Sequence, residues 1–263
     1  MKKLVFANEK GGVGKTTAAY NFAAAMAKAG KRALCVDLDP QGNLSTYMNC
    51  EPNEGEITIM ELIHKAIHRK GGCREEHLRA AIRKNDEGVF CIPADISLSQ
   101  ADMALAVAFS REKILKRILD HSLFDCWFDY CLMDCPPNLG IVVMNALMAA
   151  DGVIIPVQTK NFALKGLMML EGAIEQVQQD NPSLTIEAVL INMTRRNKNS
   201  EAIEALLKER YGDIVLKTTI PDLLEADTST IQQRSLVSVE KSRLGQKFRA
   251  AASELMRRME GET

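Results

Sequence analysis

The chain has 263 residues, of which 46% are hydrophobic and 25% are charged, and its formal net charge is −1. This length can bury a large core and fits one α/β domain spanning residues 1–263. The near-neutral charge excludes a global electrostatic attraction to nucleic acid, so DNA contact would need a local basic patch. No apolar run approaches the ~18 residues of a membrane span, so we expect no membrane attachment.

The first predicted element is a strand at residues 3–8, followed by Glu9-Lys10-Gly11-Gly12-Val13-Gly14-Lys15-Thr16-Thr17 and then an alanine-rich helical pattern. A strand, a glycine-rich loop and a helix form the setting of a phosphate-binding loop, whose backbone N–H groups and helix N-terminus face phosphate oxygens. In such a loop Lys15 bridges the β- and γ-phosphates, and the Thr16 hydroxyl holds Mg²⁺. The sequence therefore predicts that residues 10–17 bind a nucleotide.

Apolar runs alternate with helical patterns along the rest of the chain. Continuous apolar runs of this kind are typical of parallel strands that are covered on both faces. The further predicted strands are 32–37, 88–92, 129–134, 152–157, 185–192 and 214–219. One helical stripe consists of Ala163, Leu167, Leu170, Ile174 and Val177. The alternation predicts an α/β fold, a mostly parallel sheet with helices on both faces and a ligand at the carboxyl ends of the strands.

Two carboxylates end the second predicted strand, in Val36-Asp37-Leu38-Asp39-Pro40-Gln41-Gly42-Asn43. Asp37 and Asp39 are two residues apart, so they share one side of an extended chain and can face a γ-phosphate. One of them can support Mg²⁺ through water, and the other can orient the attacking water. A turn is the alternative explanation, because Asp-Pro and Gly-Asn are common in turns.

A third carboxylate, Asp134, ends the strand in Cys131-Leu-Met-Asp134-Cys-Pro-Pro137. An apolar strand that ends in one Asp is the Walker B arrangement, in which the carboxylate binds Mg²⁺ through water. We therefore predict a metal site made of Thr16, Asp37 and Asp134.

The loop departs from G-x-x-x-x-G-K-[ST], because Glu9 stands at the first glycine position and a second lysine, Lys10, follows it. This loop resembles the deviant Walker A loop, KGGxGK[ST], of the ParA/MinD family of P-loop ATPases. The D-x-D-P-Q-G-N segment and the Asp134-Cys-Pro-Pro137 segment resemble the family's switch regions. The resemblance runs from about residue 2 to 192 and is weaker beyond.

The resemblance implies several roles. Lys10 would reach across an ATP-sandwich homodimer to the partner's nucleotide, and Asp39 rather than Asp37 would be catalytic. Asn192 and the chain beside Pro221 would hold adenine. ATP and Mg²⁺ would be the cofactors, and hydrolysis would be slow until a ParB-like centromere-binding protein stimulates it. The implied function is ParA-type partition of a plasmid or chromosome, with non-specific DNA binding on the nucleoid.

The sequence departs from the family where DNA contact is expected. The arginine that usually follows the proline is replaced by Asp222, and two charges are reversed at Lys160 and Lys165. Two other basic clusters could contact phosphates without reading sequence. The candidate DNA-binding residues are Arg195, Arg196, Lys198, Lys241, Arg243, Lys247 and Arg249.

Two alternatives stay open. A MinD-like or other ATP-gated positioning switch would not bind DNA, but the C-terminal stripe favours a helix packed on its own domain over a membrane anchor. That stripe consists of Leu244, Phe248, Ala252, Leu255 and Met259. An electron-transfer protein related to the nitrogenase iron protein would need a pair of cysteines per subunit, and only Cys135 lies near Walker B. The seven cysteines are spread singly, which predicts buried free thiols and a reducing cytoplasm.

Overall fold

A seven-stranded sheet forms the centre of the computed structural model, which describes residues 1–68, 72–160, 163–195 and 197–261, apart from the side chains of Ala163 and Lys165. The strand order is β3-β4-β2-β5-β1-β6-β7, and every pair is parallel except β3 with β4. The strands are β1 (Lys2–Phe6), β2 (Ala33–Asp37), β3 (Arg83–Lys84), β4 (Phe90–Ile92), β5 (Tyr130–Asp134), β6 (Gly152–Gln158) and β7 (Thr185–Asn192). The prediction of a mostly parallel α/β sheet is confirmed.

Helices cover both faces of this sheet. The first six are α1 (Lys15–Lys28), α2 (Asn43–Tyr47), α3 (Ile59–His68), α4 (Glu75–Ala81), α5 (Ala101–Ala106) and α6 (Ile114–Leu119). The others are α7 (Ser122–Trp127), α8 (Ile141–Ala149), α9 (Ala163–Gln178), α10 (Lys198–Tyr211), α11 (Glu225–Ile231) and α12 (Arg243–Met259).

Alternation along the strands divides the core into two clusters. In β1, Val5 packs with one cluster, whereas Leu4 and Phe6 pack with the other. The first cluster includes buried residues of α3, α6, α8 and α9, and the second includes those of α1 and α12. Strands covered in this way are apolar along their whole length, which explains the continuous apolar runs in the sequence.

Both predicted helical stripes are confirmed where the structure describes them. Leu167, Leu170, Ile174 and Val177 of α9 are buried, and the side chain of Ala163 lies outside the described part. In α12 the apolar stripe is buried apart from the partly buried Met259, and the Phe248 ring packs edge-on against Phe22 of α1 at 6.4 Å between centroids. The C-terminal helix therefore packs on its own fold.

The prediction of a strand at residues 214–219 is wrong. The segment begins with a short 3-10 turn over Gly212–Ile214 and makes one isolated bridge to β7, between Val215 and Val189. The N–H groups of Leu216 and Ile220 donate to the Val189 and Ile191 carbonyls of β7 at 3.0 Å, but the intervening N–H groups of Lys217 and Thr218 donate to the Glu254 carboxylate at 2.8 and 3.2 Å. A charged acceptor on α12 thus takes the Thr218 N–H and interrupts the ladder between these two bonds.

The cysteine prediction is confirmed in large part. Cys35, Cys50, Cys91, Cys131 and Cys135 are buried free thiols, whereas Cys73 is half-buried and Cys126 is exposed. Within the described residues, no helix has the length and apolar character that a membrane span requires.

Candidate nucleotide-binding site

The predicted phosphate loop lies between the end of β1 and the start of α1. Gly12 and Gly14 have φ angles of +70° and +84°, a region in which a side chain is strained. A Cβ atom on Gly14 would lie 2.3 Å from Nδ2 of Asn192. The loop therefore needs glycine at position 14 for both its backbone angle and its close contact with the end of β7.

Lys15 lies inside this loop. Its side chain is buried, and its ammonium Nζ donates to the carbonyl oxygens of Asn8 and Lys10 at 3.1 and 3.4 Å. Burial lowers the pKa of Lys15, and the nearby Asp134, Cys135 and Asp39 oppose that shift. The ammonium is held by neutral carbonyl groups, so it can exchange them for phosphate oxygens without breaking an ion pair.

Lys10 differs from Lys15 in its surroundings. Its backbone N–H donates to Oδ1 of Asn8 at 3.0 Å, and Nδ2 of Asn8 donates to the carbonyl of Pro156 at 2.8 Å. The side chain is half-buried, and no carboxylate among the described residues forms an ion pair with it. The loop backbone is thus fixed at Lys10, while its ammonium remains available for another anion.

Two side-chain amides hold the loop from neighbouring strands. Nε2 of Gln158, at the end of β6, donates to the carbonyl of Gly12 at 2.9 Å. Nδ2 of Asn192, at the end of β7, donates to the carbonyl of Val13 at 2.8 Å. Sequence reasoning missed Asn8 and Gln158 as supports of the loop, although both are polar residues at a predicted strand end.

Asp37 and Asp134 are neighbours in register on β2 and β5. Asp37 is fully buried, and its carboxylate accepts hydrogen bonds from the Asp39 N–H at 3.1 Å and from the N–H and hydroxyl of Ser45 at 2.9 and 2.7 Å. Burial raises the pKa of Asp37 to about 6, and these hydrogen bonds oppose the shift. Its oxygens already hold the start of α2, which favours a supporting role over direct metal ligation.

Asp134 has the unsatisfied atom of the site. It is 1% exposed, and its Oδ1 has no hydrogen-bond partner among the described residues. Burial, followed by the charge of Asp37, raises the pKa of Asp134 well above its ordinary value, while a hydrogen bond from the Thr16 side chain and the Lys15 charge oppose this. A buried carboxylate oxygen without a partner is costly, and a hard cation with oxygen ligands would satisfy it. Thr16 and Asp134 therefore fit Mg²⁺.

Asp39 lies beyond the end of β2 in a more open position. It is half-buried, and its Oδ1 accepts the Gln41 N–H at 2.9 Å. The Asp39 carbonyl accepts the N–H of Gly42 at 2.9 Å, which closes a turn. The turn leaves the Asp39 carboxylate partly exposed, so the turn and a chemical role for Asp39 are compatible.

The predicted adenine residues meet at a cleft of about 400 Å³. Thr17, Asn192 and Pro221 all line it. The Asn192 amide is already engaged, because its Nδ2 donates to Val13 and its Oδ1 accepts the Met193 N–H at 3.0 Å. Contact of Asn192 with a base stays a prediction, and its supporting role for the loop is visible directly. A larger cavity of about 1170 Å³ lies instead between α12 and residues 212–218.

The candidate DNA-binding residues do not form one free basic cluster. Arg195 forms an ion pair with Asp222, and Nη1 of Arg249 donates to the carbonyl of Val237 at 2.7 Å. Arg196 lies outside the described residues. Among the candidate DNA-binding residues, the exposed cations that have no ion pair within the described chain are Lys198, Lys241, Arg243 and Lys247. DNA contact at these positions stays a prediction.

Comparison with known proteins agrees with this geometry. A family model described as an AAA domain matches residues 1–186. The chain is 38% identical over 223 residues to the chromosome-partitioning ATPase Soj of Treponema pallidum, covering 84% of this chain and 83% of the relative. It is also 38% identical over 224 residues to the sporulation initiation inhibitor protein Soj of Bacillus subtilis, covering 84% of both. The chain belongs to the ParA/Soj family of P-loop ATPases.

Solved structures extend the comparison over the whole length of this ParA/Soj family member. Cobyrinic acid a,c-diamide synthase from Mycobacterium smegmatis is 31% identical, with a TM-score of 0.81 and coverage of 100% of this chain and 97% of that one. That protein was solved with ADP and magnesium and with an ATP analogue and magnesium. A plasmid partition protein from Borrelia burgdorferi, at 21% identity, has a TM-score of 0.77 with coverage of 98% of both chains and shares the fold.

Proposed function

We propose that this ParA/Soj family member is a Mg²⁺-dependent ATPase that drives the partition of a plasmid or chromosome, with residues 1–263 acting as one ATPase domain. The observation that carries the proposal is the unsatisfied Oδ1 of Asp134 beside Thr16 and the phosphate loop. A buried acidic oxygen at a loop of this kind suits a Mg²⁺–nucleotide complex better than an uncharged ligand.

Different residues of the site would bind the phosphates, hold the metal ion and orient the attacking water. The N–H groups of residues 11–17 and the Lys15 ammonium would bind the phosphates, and Thr16 and Asp134 would hold Mg²⁺. Bound Mg²⁺ would neutralise the charge of the phosphates. Asp39 would orient the attacking water, and Asp37 would keep Asp39 and α2 in place through Ser45 and the Asp39 N–H.

ATP would join two subunits through Lys10. The ammonium of Lys10 has no carboxylate partner among the described residues, so a phosphate of a second subunit can neutralise it. Dimerisation would also place two copies of each weak basic surface on one particle, which raises the affinity for DNA by multivalency. A ParB-like partner would then speed hydrolysis and release the protein from the nucleoid.

DNA binding is tested by gel shift with plain duplex DNA, with and without ATP and Mg²⁺, over a range of salt concentrations. The triple variant Lys241→Ala/Arg243→Ala/Lys247→Ala should weaken ATP-dependent binding on every sequence. It should also flatten the log–log salt slope by about 0.9 for each lost phosphate contact.

The matched control is Lys113→Ala/Lys116→Ala/Arg117→Ala, which makes the same change in charge on the opposite side of the sheet. It should bind DNA as the unaltered protein does. If ATP-bound protein shows no affinity for duplex DNA even at low salt, DNA partition is contradicted. A positioning switch that binds no DNA is then the better account.

A further inference from the structure

The cleft beside Asn192 is lined by two chain segments that lie side by side. The chain after β7 pairs with the chain around Pro221, since the Thr194 N–H donates to the Ile220 carbonyl at 3.0 Å and the Asp222 N–H donates to the Thr194 carbonyl at 3.1 Å. These bonds place the side chains of Arg195 and Asp222 next to each other, and both line the cleft.

Arg195 and Asp222, which both line the cleft, form an ion pair. Nε and Nη2 of Arg195 donate to Oδ2 of Asp222 at 2.8 and 2.7 Å. The two side chains are 65% and 35% exposed, respectively. An ion pair this open adds little to stability, but it holds one edge of the guanidinium and so restricts where its flat face can lie.

The rest of the cleft suits a flat aromatic ligand. Leu224, which is 81% exposed, and the partly buried Leu223 line it and supply an apolar surface. Thr17 connects the cleft to the phosphate loop, so a nucleotide whose phosphates occupy the loop has its base on this side.

We infer that Arg195, held by Asp222, forms the outer wall of the nucleobase subsite and stacks its guanidinium on the purine ring. This inference rests on the proposed nucleotide-binding function and assigns a base-positioning role to a residue that sequence analysis gave to DNA. A guanidinium is planar and can stack its flat face on an aromatic ring, whereas an ammonium is attracted to the ring by its charge alone. Asp222 offsets the attraction of Arg195 to the phosphates, so the cation–π contact of the guanidinium face is its contribution to binding.

The test measures ADP and inorganic tripolyphosphate binding by calorimetry. Arg195→Ala should weaken ADP binding about 2- to 5-fold, the range for a cation–π contact at an exposed site. It should leave tripolyphosphate binding unchanged, because tripolyphosphate has no base. Arg195→Lys keeps the charge but removes the planar group, and it should weaken ADP nearly as much. The matched control Lys217→Ala removes an exposed cation that does not line the cleft and should change the binding of neither ligand.

Exchange of the two partners tests the role of Asp222. Asp222→Ala should weaken ADP binding less than Arg195→Ala does, because the guanidinium stays but loses its anchor. The exchange Arg195→Asp/Asp222→Arg should bind ADP more tightly than Arg195→Ala, because it restores a guanidinium and its carboxylate partner. Unchanged ADP affinity in Arg195→Ala, or equal weakening of ADP and tripolyphosphate, overturns the inference while the proposed function stands. If the unaltered protein binds neither ligand, both the proposed function and this inference are contradicted.

Discussion

Charged side chains at the phosphate loop are kept in place by a few short contacts. Lys15 is buried among backbone carbonyls, Asp37 accepts three hydrogen bonds, and Asp134 has one oxygen without a partner in the described chain. Burial lowers the pKa of Lys15 and raises the pKa values of both carboxyl groups. Groups whose charged forms are disfavoured by burial bind an oppositely charged ligand strongly, because the ligand replaces the missing solvation.

Lys15→Ala should abolish measurable ATP binding, because no other side chain within the loop can bridge the β- and γ-phosphates. Equilibrium binding of a labelled ATP analogue checks this. Lys217→Ala removes an exposed cation that lines the cavity beside α12 and should bind ATP like the unaltered protein. Undiminished affinity in Lys15→Ala would contradict the assignment of the phosphate loop.

Asp39→Ala should keep ATP binding but lower turnover by roughly 10²-fold or more, the scale of a lost general base or water-positioning group. The variant should therefore accumulate in its ATP state. Two measurements check this: the rate of phosphate release under saturating ATP and the nucleotide retained on the protein. Asp37→Ala should in addition lower the free energy of unfolding, since it leaves the Ser45 and Asp39 donors without their acceptor. If Asp37→Ala alone traps ATP while Asp39→Ala turns over normally, the two roles are reversed.

At the scale of elements, the carboxyl ends of the strands carry the candidate site, and the amino ends carry a contact that holds two strands together. The carboxyl ends of β1, β2, β5, β6 and β7 bring the loop and its carboxylates and amides together. At the amino ends, Asp129 joins β5 to β2: its carboxylate accepts the Arg32 N–H at 2.7 Å and pairs with the Arg32 guanidinium at 2.9 Å. The first set suits ligand binding, and the second fixes strand register.

The Arg32–Asp129 pair gives a pH-dependent prediction. Hydrogen bonds from Arg32 lower the pKa of Asp129 to about 2, against about 3.9 in the unfolded chain. A lowered pKa stabilises the fold above about pH 4, and this contribution disappears as the pH falls through about 2. Asp129→Asn should therefore lower the free energy of unfolding by up to about 1 kcal/mol at neutral pH, since the pair is exposed.

Urea unfolding at about pH 7, pH 4 and pH 2 measures this contribution. The difference between Asp129→Asn and the unaltered protein should shrink between the last two values. Asp86→Asn, at an exposed Asp without an ion pair, should show no such trend. A difference that stays constant down to about pH 2 would show that the Arg32 contact does not act through the Asp129 charge.

At the scale of the whole molecule, the site is open at the carboxyl edge of the sheet. Lys10 has a fixed backbone and an ammonium without an ion pair in the described chain, whereas Lys15 points into its own loop. Two lysines in one loop therefore have different partners available to them. The internal lysine suits the nucleotide of its own subunit, and Lys10 suits a group supplied from outside.

Lys10→Ala should bind ATP with little change in affinity as a monomer but fail to form the ATP dimer, since its proposed contact lies in the other subunit. Light scattering with ATP and Mg²⁺ measures the mass directly. Lys160→Ala, which removes another exposed cation on the same edge, should still dimerise. A stable dimer of Lys10→Ala would contradict the contact between subunits.

The sequence by itself determined the parallel α/β sheet, the phosphate loop and the carboxylates at the ends of β2 and β5, because apolar runs, glycine spacing and strand-end charges are local signals. Only the tertiary structure decided which partners distant side chains meet. Arg195 is neutralised by Asp222, 27 residues away, and Asn192 and Gln158 hold the loop through carbonyls 179 and 146 residues away. Glu254 likewise accepts two backbone N–H groups of the expected strand at residues 214–219. Hydrogen bonds of this range depend on how strands and helices are arranged in space, which no local pattern encodes.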